Sequence, residues 1–414
     1  MSLRILFCNY EYPPLGGGGG VVNAWLAAEL ATRHEVTVLT SQPRGLPHLR
    51  VEEGVRILGA PVLLRWQRSV ASLPSMLAFV LSGLWVGRRL LAQERFDVVN
   101  THFVLPTGPV GDALSRWAGI PNVLSLHGGD LYDPSKWTSP HRHGILRLWI
   151  RRLLRRADQV VGQSANTLAN MRRFYTPELQ GVRIPLGIRR VPQGLPPAER
   201  EVFGLTSGDV VLVTVGRLVA RKAVDQLLRV VAELPAHVHL LVVGDGPQRA
   251  NLISLAQTLG LQSRVRFLGY VDESTKLRLL KMADLYVSTS QHEGFGLVFL
   301  EAMACGLPVL AYDHGGQRDF LLDGRTGYLV PLNRHEQFLR RCRVLVEDGS
   351  MRRAMGAFNR MHVERFYIDR CAARYEAVFE QVVQARLQDP APASVAPSSR
   401  EPVSSTDTGP RSRG

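Results

Sequence analysis

Two series of short apolar strands, each strand followed by a loop and a helical stretch, constrain this chain more than any other feature. The first series runs through the strand Leu3–Asn9, a glycine loop at Gly16–Gly20, the helical stretch Val21–Thr32 and the strands Glu35–Thr40, Val98–Thr101 and Asn122–Leu126. It breaks between Ile184 and Glu201, where Pro-Leu-Gly-Ile-Arg-Arg-Val-Pro-Gln-Gly-Leu-Pro-Pro has the composition of a linker. A second series follows with strands at Val210–Val215, Val238–Val243, Val265–Leu268, Leu285–Ser288 and Val309–Ala311. Strands alternating with helices fold as doubly wound parallel α/β sheets. Two such halves predict two Rossmann-like domains facing a central cleft, with ligands at the C-terminal ends of the strands. The spacing divides the chain into a first domain over 1–187, a linker over 188–204, a second domain over 205–383 and a tail over 384–414. The last helix of the second domain is expected to pack back on the first. The tail is rich in Pro, Ser, Ala and Arg, buries no core and is expected to be disordered.

Composition excludes several classes. Of 414 residues, 45% are hydrophobic and 21% charged, the balance of a globular protein. The apolar stretch from Ser69 to Gly87 is interrupted by Ser, Pro and Gly and makes a poor membrane span. The N-terminus reads directly as a strand without a secretory signal region, which points to the cytoplasm. Cys8, Cys305, Cys342 and Cys371 lie far apart with no CxxC pair, so buried free thiols are expected rather than a disulfide framework or a zinc site. The net charge is +14, and residues 1–200 hold 24 Lys and Arg against 13 Asp and Glu, so most of the excess sits in the first half. Such asymmetry suggests an anionic partner (an acidic membrane surface on the inner face of the cell membrane, an acidic acceptor or nucleic acid), against arginines merely spread over solvated faces. The segment 141–156 reads as a basic amphipathic helix, its stripe of Leu146, Ile150, Leu153 and Leu154 flanked by five arginines, with Trp149 placed for an interface. Packing of that stripe on the sheet is the rival reading. Arg65-Trp-Gln-Arg followed by Ser69–Val86 points the same way as the basic helix.

The chemistry is concentrated in Gln291-His-Glu-Gly-Phe-Gly-Leu-Val-Phe-Leu-Glu-Ala-Met-Ala-Cys-Gly-Leu-Pro-Val. It follows an apolar strand, turns at Gly-Phe-Gly and opens a helix near Leu297. Free N–H groups at a helix start suit an anion or a sugar hydroxyl. Glu293 lies before the helix and Glu301 in its second turn, so two carboxylates can serve two separate sets of hydroxyls. This segment resembles the E-x7-E signature of glycosyltransferase family 4, retaining enzymes of the two-domain GT-B fold, and the resemblance extends over most of residues 1–380. It implies that Glu301 hydrogen-bonds the donor ribose. It implies further that Glu293, with the backbone amides of Phe295, Gly296 and Leu297, holds the sugar hydroxyls.

Other segments fall into the same pattern. Val215-Gly-Arg-Leu-Val-Ala-Arg-Lys-Ala ends a strand and aims two cations, Arg217 and Lys222, at one pocket, where they can neutralise a diphosphate. The resemblance gives that role to the pair; the family usually has Gly where Ala223 stands, and Arg221 is expected to be solvated. Gly244-Asp-Gly-Pro is expected to be a structural turn. Tyr270 and Val271 occupy the position where family members contact the base. Gly16 and Gly17 look like the loop facing the pyrophosphate, because consecutive glycines permit close backbone approach. Leu124-Ser-Leu-His-Gly-Gly-Asp resembles the family's His-Gly-x-Asp loop and places His127 across from the donor sugar with Asp130 beside it. In the closing segment, Arg318 and Asp319 stand where the family has proline and glutamate, and Asp319 is expected to support the Gly315-Gly316 loop.

No D-x-D pair occurs in the sequence, so cations and helix starts rather than a metal are expected to stabilise the leaving diphosphate. Catalytic duty is thus assigned to His127, Glu293, Arg217 and Lys222. The partners are a nucleoside-diphosphate sugar, which is a substrate and not a cofactor, and an acceptor that is a glycan, a lipid-linked molecule or a small metabolite. Polysaccharide or glycoconjugate biosynthesis is the expected setting. A non-catalytic nucleotide-sugar-binding protein is the alternative. Nucleic acid is excluded, because no recognisable module interleaves aromatics with the arginines.

Overall fold

The computed structural model describes residues 2–42, 45–62, 72–134 and 136–389. Its first half is an eight-stranded sheet. The strands are β1 (Arg4–Asn9), β2 (Glu35–Gln42), β3 (Leu49–Glu52), β4 (Val55–Pro61), β5 (Val98–His102), β6 (Asn122–Leu126), β7 (Gln159–Gly162) and β8 (Val182–Arg183). Their spatial order is β3-β4-β2-β1-β5-β6-β7-β8, parallel except for β3 against β4. The second half is a six-stranded parallel sheet of β9 (Val210–Val215), β10 (Val238–Val243), β11 (Val265–Gly269), β12 (Leu285–Ser288), β13 (Val309–Tyr312) and β14 (Gly327–Val330), in the order β11-β10-β9-β12-β13-β14. Every residue of β5, β6, β12 and β13 is buried, as helices on both faces of a parallel sheet require.

The order of each sheet reverses once, between β1 and β5 in the first and between β9 and β12 in the second. At such a switch point the loops on either side splay apart and leave a crevice beyond the strand ends. The glycine loop follows β1, Arg217 and Lys222 follow β9, and Glu293 follows β12.

The chain passes between the halves twice, and the two passages pair with each other. Ile188 N–H donates to Phe366 O at 3.0 Å, and Ile368 N–H donates to Ile188 O at 2.8 Å. The helix Ile368–Gln388 then lies on the first half: Tyr375 donates to Ser125 at 3.0 Å, Glu376 accepts from Arg33 and lies 2.9 Å from His34, and Arg386 pairs with Asp158 at 2.6 Å. This helix corrects the expected start of the disordered tail. It continues through Gln388 because Val382 and Val383 are buried and Arg386 is anchored. Residues 390–414 and the stretch Arg65–Arg68 lie outside the described residues.

Two further expectations change. The helix Leu73–Gln93 is continuous across the residues read as interruptions. Ser72 caps it, Pro74 sits in its first turn, and Gly83 and Gly87 are contact points where a Cβ would meet Val110 at 3.4 Å and Leu114 at 2.6 Å. It is long and apolar enough to cross a membrane by length and composition, yet Phe79, Val86 and Leu90 pack it on the sheet. In the basic helix Gly144–Arg156, the stripe proposed for lipid contact is turned inward. Ile150, Leu153 and Leu154 are fully packed against β6 and β7, while Arg147 and Arg151 donate to the carbonyls of Phe174 and Tyr175. All four cysteines are unpaired.

Candidate active site

Strand β9 is followed by Gly216, whose φ of 154° lets the chain turn beneath Lys222; a Cβ there would lie 3.4 Å from the Lys222 Nζ. Gly244 and Gly246 close the same corner, since a Cβ on them would strike Gly216 O and Leu218 O at 2.1 and 2.4 Å. Arg217, Lys222, Thr214 and Ser288 share a small pocket at this point. Ala223 adopts the left-handed conformation, φ 46°, which explains why glycine suits that position better.

Glu293 follows β12 and is buried, paired with Lys222 and 3.7 Å from the Arg221 guanidinium. Burial pushes its carboxyl upward, but Lys222 and Arg221 outweigh this and hold it below the usual carboxylate range. Arg221 is therefore not merely solvated: it also donates to His292 O at 2.8 Å. The same guanidinium nitrogen that bonds His292 O is the one that approaches Glu293. Gly296, φ 95°, opens the helix Leu297–Ala304, while Phe295 is buried against Phe320. The amides at this helix start carry the positive end of the helix dipole. Glu301, one turn further in, is nearly as buried and pairs with Lys276 at 2.7 Å. There burial outweighs Lys276, and the carboxyl is raised. Lys276, the partner of Glu301, is a residue that sequence reading missed; its signal was a lysine in the helix Glu273–Met282 after the Tyr270 loop. Tyr270 itself stands 85% exposed, and Val271 is half-buried.

Across the cleft, the glycine loop meets the second half directly. A Cβ on Gly18 would lie 3.6 Å from Leu297, and one on Gly19 would lie 2.7 Å from Phe103 and 3.8 Å from His127 Nδ1. Gly16, φ 96°, is packed against the Glu11 side chain, and Gly17 opens on free space with its N–H donating to Glu11 at 3.4 Å. Three of the five glycines, Gly18 to Gly20, belong to the helix Gly18–Ala31, which starts earlier than the sequence suggested.

His127 is buried, stacks on Phe103 at 4.2 Å and holds its Nε2 3.0 Å from His102 Nδ1. Burial lowers its pKa to about 3, so the ring is neutral at neutral pH. Asp130 sits beside it and braces the same loop. Its two oxygens accept from the Val104 and His127 amides at 2.8 and 3.0 Å, so it shapes the loop, and burial raises it to about 6. Gln163, also unforeseen, donates to His127 O at 2.6 Å, and Ser164 donates to Gly294 O at 3.3 Å. Asp319 serves the opposite domain rather than the Gly315-Gly316 loop: it accepts from Ala165 N–H at 2.9 Å and lies 3.6 Å from Arg183. The Gly315-Gly316 loop instead rests on Glu293, whose carbonyl accepts from Gly316 at 2.9 Å. Among the described residues, no three His, Cys, Asp or Glu side chains converge as metal ligands would.

Two doubly wound domains whose switch points face each other define the GT-B architecture. The chain belongs to glycosyltransferase family 4: the family described as "Glycosyl transferases group 1" matches residues 197–362, and the "Glycosyl transferase 4-like domain" matches residues 17–187. N-acetyl-alpha-D-glucosaminyl L-malate synthase of Bacillus anthracis is 28% identical over 393 residues, 93% of this chain and 98% of that one. D-inositol 3-phosphate glycosyltransferase of Rhodococcus jostii is 29% identical over 320 residues, 71% and 68% of the two chains. Among solved structures, sucrose-phosphate synthase from Thermosynechococcus elongatus shares the fold with a TM-score of 0.80 at 24% identity, covering 92% of this chain and 100% of that one. Anabaena HepE in complex with UDP and glucose superposes with a TM-score of 0.74 at 21% identity, over 92% and 100%.

Proposed function

We propose that this glycosyltransferase moves a sugar from a nucleoside diphosphate to an acceptor hydroxyl with retention of the anomeric configuration and without a metal. The observation that carries this reading is the convergence of Arg217, Lys222 and the helix start at Leu297 on one switch point, with Glu293 buried beside them. Two cations and a set of free amides suit a diphosphate. Glu293, held ionised, accepts hydrogen bonds from sugar hydroxyls, and Glu301 accepts from the ribose. In the transfer, the bond from the anomeric carbon to the phosphate oxygen breaks, and the acceptor oxygen bonds to the same face of that carbon. Its proton passes to a leaving phosphate oxygen, whose growing charge Arg217 and Lys222 stabilise. The solved HepE structures with UDP and with UDP-glucose favour a nucleoside-diphosphate donor by analogy. The acceptor class is a glycan, a lipid-linked molecule or a small metabolite.

A thermal-shift screen of nucleoside-diphosphate sugars finds the donor, because a ligand at 100 times its Kd stabilises the fold by about 2.7 kcal/mol. Product analysis by NMR with that donor and chelator present then tests the reaction. An α-linked product from an α-linked donor is expected. An inverted product, or loss of turnover on chelation, defeats the mechanism; stabilisation without any turnover across acceptors supports a binding protein instead.

A further inference from the structure

The helices Leu73–Gln93, Gly108–Ala118 and Gly144–Arg156 lie side by side on one face of the first sheet. Gly87 abuts Leu114, and Arg156 pairs with Asp112 at 3.1 Å. Their inner faces fill the core with Phe79, Val110 and Leu153 among others, so their outer faces point away from the sheet together. Leu73, Leu77, Leu81 and Trp85 recur every four residues along the first helix, each more than half exposed. A four-residue spacing stacks them in one row. Trp117 ends the middle helix, and Ile145 and Leu148 stand on the outside of the third, again more than half exposed. Arginines border this apolar ground: Arg89 lies 3.8 Å over the Trp85 ring and Arg88 5.7 Å over Trp117. Neither the first helix nor the third contains an acidic residue.

We propose that this three-helix face docks on an anionic lipid bilayer, with the Leu73–Trp85 row entering the interface and Arg88 and Arg89 holding phosphate headgroups. Apolar side chains with an interfacial tryptophan and a cationic border, whose one acid Asp112 is paired with Arg156, match that surface. A partner protein of ordinary charge would leave the arginines unmatched. The contact is independent of the donor chemistry. Co-sedimentation with phosphatidylglycerol vesicles, against phosphatidylcholine vesicles, tests it. We expect about tenfold stronger partitioning onto the anionic vesicles, falling with added salt. Leu77→Gln/Leu81→Gln/Trp85→Gln should lose it with an unchanged melting temperature, and Arg88→Glu/Arg89→Glu should lose the preference for anionic lipid. Equal pelleting of the triple variant overturns the proposal. So does a wild-type dimer in light scattering that the triple variant dissolves while neither pellets, which would assign the face to a second copy.

A separate observation concerns His127, whose buried Nδ1 has no hydrogen-bond partner. Its other nitrogen ends a chain of buried contacts. Tyr375 Oη–H donates to Ser125 Oγ at 3.0 Å, and Ser125 donates to Asn100 Oδ1 at 3.1 Å. Asn100 Nδ2 lies 2.8 Å from His102 Nε2, and His102 Nδ1 lies 3.0 Å from His127 Nε2. An amide nitrogen only donates, so His102 Nε2 accepts and the His102 proton sits on Nδ1. His127 Nε2 then accepts, which leaves its own proton on Nδ1, facing the Gly19 backbone and the cleft. We infer that Tyr375, on the last helix, and His102 are positioning residues that fix His127 as a neutral Nδ1–H donor to the bound sugar. The last clause rests on the proposed donor site; the tautomer does not. Ring-nitrogen NMR of the wild type should show Nδ1 protonated and Nε2 not, from pH 5 to 8, and an Nε2–H signal overturns the assignment whatever the activity. Tyr375→Phe should lower kcat several-fold with KM for the donor little changed, while His102→Leu, which neither accepts from Asn100 nor donates to His127, should scramble the tautomer. An unaltered tautomer and kcat in both variants overturns the positioning role.

Discussion

Lys222 and Glu293 form an ion pair on which both stability and the proposed donor binding rest. Glu293 keeps its charge in a nearly dry place only because Lys222 touches it and Arg221 stands 3.7 Å away. We expect Lys222→Ala to destabilise the fold by about 3 kcal/mol, since removing one partner leaves a buried charge behind. Urea denaturation checks this. Arg217 shares the small pocket with Lys222, and Arg217→Ala should weaken nucleoside-diphosphate binding by about 2–4 kcal/mol. Calorimetry that finds unchanged affinity would refute its role. The buried histidines give a pH signature. His127 and His102 are held neutral, with pKa values depressed by burial, to about 3 for His127. The unfolded chain protonates them near a pKa of about 6.5. Between those values the unfolded state binds more protons, so these residues remove stability as pH falls below about 6.5. Denaturation midpoints measured from pH 7.5 to 4.5 should fall, and His102→Gln should flatten the slope.

At the scale of elements, the paired passages at Ile188 and Ile368 form the joint between the halves. Gly187 lies so close to the last helix that a Cβ would sit 2.6 Å from Ile368 Cα, with backbone on the other side that cannot rotate away. Gly187→Ala should therefore cost about 1–3 kcal/mol, as overpacking does, and lower the melting temperature. A wild-type melting curve for this variant would mean the joint is looser than its geometry. The same scale explains which parts of the site were legible. Glu293, Gly296 and Glu301 form one continuous strand–loop–helix segment, and residue spacing alone orders them. Arg221 and Lys276 were missed because their partners, Glu293 and Glu301, lie 72 and 25 residues away. Nothing in a local pattern predicts such pairs. The bracing role of Asp130 was hidden for a related reason: its oxygens accept from backbone amides, one of them on a different loop.

For the whole molecule, the helix Ile368–Gln388 is decisive. It starts in the second half yet buries Tyr375, Phe379 and Val383 in the core shared with the helix Gly18–Ala31. A chain ending at Asp389 should retain the melting temperature and donor binding of the full sequence. One ending at Tyr367 should expose that seat and aggregate or lose cooperative melting, measured by calorimetry. The sequence by itself determined the two-domain α/β plan, the strand ends where chemistry gathers and the E-x7-E segment, because backbone periodicity and turn residues act over a few positions. Only the tertiary structure decided which way surfaces face. It turned the stripe of Ile150 and Leu153 inward, left Leu77, Leu81 and Trp85 outward, and strung Tyr375, Ser125, Asn100 and His102 into one chain ending at His127. Burial and hydrogen-bond partnership depend on what packs opposite a residue, and for these residues the opposing atoms come from distant parts of the chain.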